Sequence, residues 1–193
     1  MLTLNYPIND TFEVFGEKYK VNMAFDNVMR YFDLLEDKEL QDAEKVLLGI
    51  NVLLGVSFLS DFGKTYEIFN TLHNTFFGPE ESSVKLDRAG NPLPVQKKEN
   101  EEEKVYSLKH DAEYIYASFR QAYGMDLLDE KGKLHWFKFK ALLAGLPEDT
   151  KFSQVVDIRT RELPKGRHSS EEKKALKKLK ELYALPEDED EGE

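Results

Sequence analysis

Apolar residues recur at helical spacing along most of the chain. Between residues 25 and 76 this spacing predicts three amphipathic helices, because residues three and four positions apart share one helix face. Gly78 and Pro79 predict the end of the third helix. The three apolar stripes are Phe25, Val28, Met29, Phe32 and Leu35; Val46, Leu47, Ile50, Leu53 and Leu54; and Phe62, Tyr66, Phe69, Leu72 and Phe76. We expect these helices to form the first packing unit.

A different pattern precedes the helices. Phe12–Phe15 and Tyr19–Val21 are short β-prone segments on either side of a polar stretch that starts at Gly16. This pattern predicts a β-hairpin with Gly16, Glu17 and Lys18 in its loop. Two strands alone are marginally stable, so the hairpin must pack on something larger.

Helical spacing returns after residue 105. Asp111 is the expected N-cap of a helix that ends at Gly124. Further helices are predicted from Leu134 to Leu146, from Phe152 onward, and after a capping box made by Ser169 and Glu172. The last helix carries Ala175, Leu176, Leu179, Leu182 and Tyr183 on one face.

Two segments lack the apolar residues that a core needs. Residues 80–104 contain prolines and an acidic run but no aromatic residue, and residues 187–193 are almost wholly acidic. Such segments cannot bury enough apolar surface to offset the entropy of ordering. The predicted fold class is therefore mainly α: a β-hairpin plus helices over 1–79, a flexible acidic linker over 80–104, a helical segment over 105–185 packing with the N-terminal part, and a disordered acidic tail over 186–193.

Composition narrows the possible partners. Hydrophobic residues make up 40% of the 193 residues, which suffices for a packed core. The formal net charge of −10 repels polyanions, and nucleic-acid affinity comes largely from Lys and Arg, so we do not expect nucleic acid as a partner. There is no signal-peptide pattern, and the most apolar stretch, Val46 to Leu59, is shorter than the roughly 20 residues needed to cross a bilayer. We expect no membrane association and a cytoplasmic protein.

Residues typical of catalysis or metal binding are sparse. The absence of cysteine excludes disulfides and thiolate zinc sites. No histidine pair has metal-ligand spacing, and neither a nucleophile elbow nor a phosphate-binding glycine loop occurs. The four histidines are His73, His110, His135 and His168. We therefore expect no enzymatic activity, no cofactor and no metal.

One local cationic patch lies near the end of the sequence. It comprises Lys165, Arg167, Lys173, Lys174, Lys177, Lys178 and Lys180. We favour a solvated face of an amphipathic helix, able to contact the acidic residues just beyond, over a nucleic-acid site, because arginine and aromatic residues are scarce there. Steering of an acidic protein partner is a further alternative.

The segment around the only tryptophan, Trp136, is apolar on more than one helical face. Such a helix is either buried between others or docks a partner, and the pattern favours burial. Tryptophan and neighbouring aromatic residues nonetheless dominate protein interfaces where they are exposed. We therefore name Trp136, Phe139 and Leu143 as candidate protein-binding residues, with Arg159 and Arg161 as polar anchors.

Several runs in the second half of the chain resemble a family of siphophage proteins. The runs are Asp111–Phe119, Tyr123–Leu127, Leu134–Leu143, Gly145–Thr150 and Val156–Arg159. They are similar to the "gene fifteen product" family of phages and prophages of Gram-positive bacteria, most clearly over residues 105–160. The core Leu-His-Trp-x-x-Phe-x-x-Leu-Leu is the most specific part. Phe137 departs from the family, where a second tryptophan is expected.

The resemblance implies a bacteriophage tail-assembly chaperone that binds the tape-measure protein and promotes polymerisation of the tail tube. The partners of such a chaperone would be the tape-measure protein and the major tail protein, and it could also form a homo-oligomer. It would act in the cytoplasm of an infected or lysogenic bacterial host. The family brings no catalytic residues. The alternatives are a structural minor tail or connector component of the virion, and a nucleic-acid-associated factor acting through the lysine-rich helix.

Overall fold

The computed structural model describes residues 2–57, 62–78, 105–164 and 170–186. The described residues form one antiparallel β-hairpin and seven α-helices, which confirms the predicted mainly α class. The predicted linker and the residues after Pro186 lie outside the described part. The elements are β1 (Thr11–Val14), β2 (Glu17–Lys20), α1 (Phe25–Glu36), α2 (Asp42–Leu54), α3 (Phe62–Phe77), α4 (Ala112–Tyr123), α5 (Trp136–Ala144), α6 (Lys151–Thr160) and α7 (Ser170–Leu182).

The chain divides into two compact units that are not consecutive in sequence. Unit 1 takes its described residues from Met1–Lys98 and Lys131–Phe139, and unit 2 from Glu99–Glu130 and Lys140–Glu193. Helix α5 therefore begins in unit 1 and ends in unit 2. The expected packing of residues 105–185 with the N-terminal part stays a prediction.

The hairpin of unit 1 closes through a two-residue turn. Val14 pairs with Glu17, so only Phe15 and Gly16 connect the strands. Both have positive φ, 55° and 78°, which is the turn geometry that matches the twist of two antiparallel strands. Glu17 and Lys18, expected in the loop, belong to β2 because Phe15 takes a left-handed conformation usually left to glycine or asparagine.

An aromatic cluster fills the centre of unit 1 around Tyr31 of α1. The Tyr31 ring is fully buried, and its centroid lies 6.3 Å from that of Phe69 and 5.2 Å from that of Phe77. Its hydroxyl lies 2.8 Å from Nδ1 of His73. A Cβ at Gly49 of α2 would lie 2.9 Å from the Phe69 ring, so glycine permits this close approach.

The predicted apolar faces are partly displaced from the observed ones. Phe62 and Tyr66, expected on the inner face of α3, are 49% and 48% exposed, whereas Thr65 and Ile68 are buried. In α1 the sequence pattern also overlooked buried Asn27. Its amide donates to the carbonyl oxygens of Asn22 (3.0 Å) and Val52 (2.9 Å), and these bonds satisfy it in the interior.

Unit 2 packs α4, α6 and α7 around Phe119 and Val155, which are both fully buried. Ser118 joins two of these helices: its hydroxyl donates to the carbonyl of Tyr114 (2.6 Å) and accepts the backbone N–H of Phe152 (2.9 Å) at the start of α6. Gly124 ends α4 in the left-handed conformation, with φ of 64°, as predicted.

Candidate functional site

The segment Lys131–Phe139, which contains the tryptophan, is hydrogen-bonded to unit 1. The backbone N–H of Trp136 donates to the carbonyl of Met23 (2.7 Å), and that of Phe25 donates to the carbonyl of Leu134 (2.9 Å). A short antiparallel bridge links the same two stretches. These bonds explain why the segment belongs to unit 1 although it lies far from it in sequence.

The aromatic side chains of this segment lie in the core of unit 1. The Phe139 ring stacks on Phe25 at 5.0 Å and on Trp136 at 5.7 Å, measured between centroids. Trp136 lies 5.9 Å from Phe32, which also contacts Phe77 of the Tyr31 cluster. Trp136 and Phe139 are therefore buried, as the sequence pattern favours.

Leu143, further along α5 and in unit 2, is buried as well. Burial hides Trp136, Phe139 and Leu143 from a partner within the described structure. Binding of a partner through these three residues stays a prediction, and it would require the side chains to become accessible.

His135 directly precedes α5, and both of its ring nitrogens have a hydrogen-bond partner. Its Nδ1 accepts the backbone N–H of Phe137 (3.0 Å), and its Nε2 lies 2.9 Å from Oδ1 of Asp10. The two residues lie in a groove of about 370 Å³ that also includes Lys20 and Lys133. Within the part of the chain that the structure describes, no group of three or more His, Asp or Glu residues could hold a metal ion.

Arg159 of α6 forms a buried ion pair in unit 2. Its two terminal nitrogens each lie 2.7 Å from a different carboxylate oxygen of Asp111, whose side chain is 1% exposed. The guanidinium also donates to the carbonyls of Tyr183 (2.6 Å) and Val105 (3.1 Å). Arg159 thereby connects the residues before α4, helix α6 and the end of α7.

Asp111 was predicted as the N-cap of α4, and it does occupy that position. Its carboxylate, however, makes no cap hydrogen bond to the helix. It instead accepts the backbone N–H of Ser107 (3.0 Å) and both terminal nitrogens of Arg159. The N-cap pattern correctly predicted where the helix starts. It did not predict that the Asp111 carboxylate forms an ion pair with Arg159.

The two predicted arginines line one groove of about 640 Å³ in unit 2. They differ in availability. Arg159 is held by Asp111, whereas Arg161 is exposed and its ion pair is with Asp157, one turn earlier on α6. Exposed pairs of this kind contribute little, about 0–1 kcal/mol, so Arg161 can exchange partners at small cost. The groove is lined by Val105, Arg159, Thr160, Arg161, Glu162, Lys180, Ala184 and Leu185.

Each unit also exposes large apolar side chains that the sequence analysis did not single out as binding residues. In unit 1 these include Leu47 and Leu48 of α2 together with Phe62 and Tyr66 of α3. In unit 2, Leu182 at the end of α7 is 71% exposed. The sequence signal for these residues is a broad apolar stripe on each helix. The stripe is wider than the surface that the neighbouring helices bury. These side chains are among the exposed apolar residues that a partner could contact.

The fold and these sites define a class: a mainly helical protein whose described surface offers apolar side chains and charged grooves. The chain belongs to the bacteriophage Gp15 protein family, whose model matches residues 4–185. The resemblance seen in the sequence is thereby confirmed, and it extends over nearly the whole chain. No curated protein and no solved structure matches the chain.

The protein is accordingly a bacteriophage protein. None of the helices that the structure describes combines the length and the apolar character needed to cross a membrane.

Proposed function

We propose that this protein is a tail-assembly chaperone that binds the tape-measure protein and promotes polymerisation of the tail tube. The observation that carries the proposal is membership of the bacteriophage Gp15 family over residues 4–185. The proposal includes the tape-measure and major tail proteins as partners, the cytoplasm of the bacterial host as the place of action, and a role without catalysis.

The exposed apolar residues of unit 1 support a reversible binding role. Phe62 and Tyr66 are each about half exposed, and their ring centroids lie 6.3 Å apart on the same side of α3. Complete burial of a large apolar side chain contributes about 1.5–3 kcal/mol, so covering the exposed half gains roughly 1 kcal/mol. Four such contacts would contribute about 4 kcal/mol, or about a thousandfold in affinity. Because association itself costs about 4 kcal/mol or more, these contacts alone favour weak and reversible binding.

A chaperone and a structural tail component differ in whether they stay in the particle. Quantitative mass spectrometry of purified phage particles and of the lysate from which they came separates the two. A chaperone is expected in the lysate and depleted from particles. A fixed copy number per particle, comparable with that of other minor tail proteins, would sink the chaperone proposal and favour a minor tail or connector component.

A nucleic-acid role would rest on the lysine-rich face of α7. Contacts with phosphates release counterions, so affinity for DNA would fall steeply as salt rises. We expect no measurable binding to duplex DNA at physiological salt, because the net charge is −10. Tight binding with a steep salt slope would support this alternative.

A further inference from the structure

Helix α7 presents a lysine face formed by Lys173, Lys174, Lys177 and Lys178. All four side chains are exposed. At 100° per residue they fall within an arc of about 140°, on the side away from buried Leu176. Glu181 lies on the same face. Four positive charges against one negative charge leave the face cationic, in a chain whose net charge is −10.

Within the described residues, none of these four lysines has a carboxylate at ion-pair distance. Lys180, just outside the face, is instead used within unit 2: its Nζ donates to the carbonyl of Arg159 at 2.8 Å. Like charges three and four residues apart on a helix repel each other by a few tenths of a kcal/mol per pair. An anionic occupant would relieve that repulsion.

We propose that this occupant is the acidic segment 187–193 of the same chain, which lies outside the described residues. Its acids are Glu187, Asp188, Glu189, Asp190, Glu191 and Glu193. The segment follows Pro186 directly and is opposite in charge to the lysine face. While it occupies the face, other acidic segments are kept off, and only a partner of higher charge or with additional apolar contacts displaces it. This inference does not depend on the proposed function.

The lengths allow the contact. Lys173 precedes Leu182, the last residue of α7, by nine residues, which is about 14 Å along the helix axis at 1.5 Å per residue. Seven extended residues span about 23 Å, enough to run back along the whole face. Each exposed ion pair contributes at most about 1 kcal/mol. The short connection raises the local concentration of the segment to about the millimolar range, so several weak pairs act together.

Zero-length carbodiimide cross-linking of the full chain tests the contact directly. At about 20 mM salt we expect amide links between carboxylates of 187–193 and Lys173–Lys178, formed within one chain. They should disappear at about 1 M salt, where the Debye length is about 3 Å. A mixture of isotope-labelled and unlabelled chains distinguishes links within a chain from links between chains. Links that run mainly between chains, or mainly to carboxylates of 99–103, would overturn the proposal.

Matched variants separate a specific contact from average charge. One variant replaces Glu187, Glu189, Glu191 and Glu193 by glutamine, and the control replaces Glu99, Glu101, Glu102 and Glu103 by glutamine. Both change the net charge by the same amount. The probe is poly-L-glutamate, and its dissociation constant is measured by fluorescence anisotropy.

If the lysine face of the natural chain is open about a tenth of the time, the first variant should bind the probe about tenfold more tightly. The control should change affinity less than about twofold. Adding Lys174→Gln and Lys178→Gln to the first variant should abolish the gain. Equal gains in both variants, or no gain in either, would contradict the inference.

Discussion

The buried ion pair between Arg159 and Asp111 gives the sharpest test of how unit 2 is held together. Replacing Asp111 by alanine removes the counter-charge of Arg159, whose side chain is only 11% exposed. Removing one partner of a buried ion pair costs about 3–5 kcal/mol, because the remaining charge stays desolvated. The bonds from Arg159 to the carbonyls of Tyr183 and Val105 remain, so we expect a loss at the lower end, about 3 kcal/mol.

The chain supplies a matched control. Arg161 and Asp157 form the same chemical pair, but their side chains are 58% and 52% exposed. Removing an exposed pair costs about 0–1 kcal/mol. In a protein of this size 1 kcal/mol corresponds to about 2–4 °C in Tm, so Asp111→Ala should lower Tm by about 6–12 °C and Asp157→Ala by at most about 4 °C.

The assay is thermal unfolding followed by far-UV circular dichroism, with hydrogen exchange of α4 and α6 to localise the loss. The double variant Asp111→Ala with Arg159→Ala should lose less than the sum of the two single variants, because it leaves no unpaired charge. If Asp111→Ala and Asp157→Ala melt at the same temperature, the pair does not stabilise unit 2. Arg159 would then be available as the polar anchor that the sequence analysis proposed.

Three further outcomes follow from unit 1. Burial lowers the pKa of His73, whose Nδ1 lies 2.8 Å from the Tyr31 hydroxyl oxygen. As the pH falls, the imidazole is therefore protonated in the unfolded chain before it is protonated in the folded one. Stability should then fall below about pH 6.5, by at most about 1.4 kcal/mol per pH unit. Urea titrations at pH 7.5 and 5.5 should show a smaller fall for His73→Gln. Gly49→Ala places a Cβ 2.9 Å from Phe69 and should lower the free energy of unfolding, measured with urea, by about 1–3 kcal/mol. At an exposed helical site the same change would raise it by about 1 kcal/mol. A rise for Gly49→Ala would exclude the close approach of Phe69 to α2. Phe15 has a φ of 55°, which asparagine adopts more readily, so Phe15→Asn should raise the melting temperature slightly. A clear fall in the melting temperature would show that contacts of the Phe15 ring stabilise the hairpin by more than the turn conformation costs.

The sequence predicted the elements of this fold better than the faces they bury. Local signals are sufficient for helix ends: Gly124 adopts the left-handed conformation that ends α4, and α3 ends before Gly78. The choice between Tyr66 and Thr65 as the inward position of α3 depends on which neighbouring helix covers it. Adjacent positions differ by only 100° around the helix, so a broad apolar stripe does not decide between them.

The candidate site shows the same limit more strongly. Arg159 and Asp111 are 48 residues apart, and no spacing rule links them. Tyr31 and His73 are 42 residues apart, and no spacing rule links them either. The burial of Trp136 was predictable because its helix is apolar on several sides. The contacts of Trp136 with Phe32 and of Phe139 with Phe25 were not predictable, since they depend on the pairing of residues 131–139 with α1 and the residues before it.

The most direct measurement of chaperone function is the solubility of the tape-measure protein expressed with and without this chain. Sedimentation of lysates, followed by quantification of the soluble and pelleted fractions, gives the result. We expect the tape-measure protein to be mostly soluble with the natural chain and mostly pelleted without it. The double variant Phe62→Ser and Tyr66→Ser, which removes exposed rings, should fall between the two. Equal pelleting with and without the chain would contradict the chaperone function.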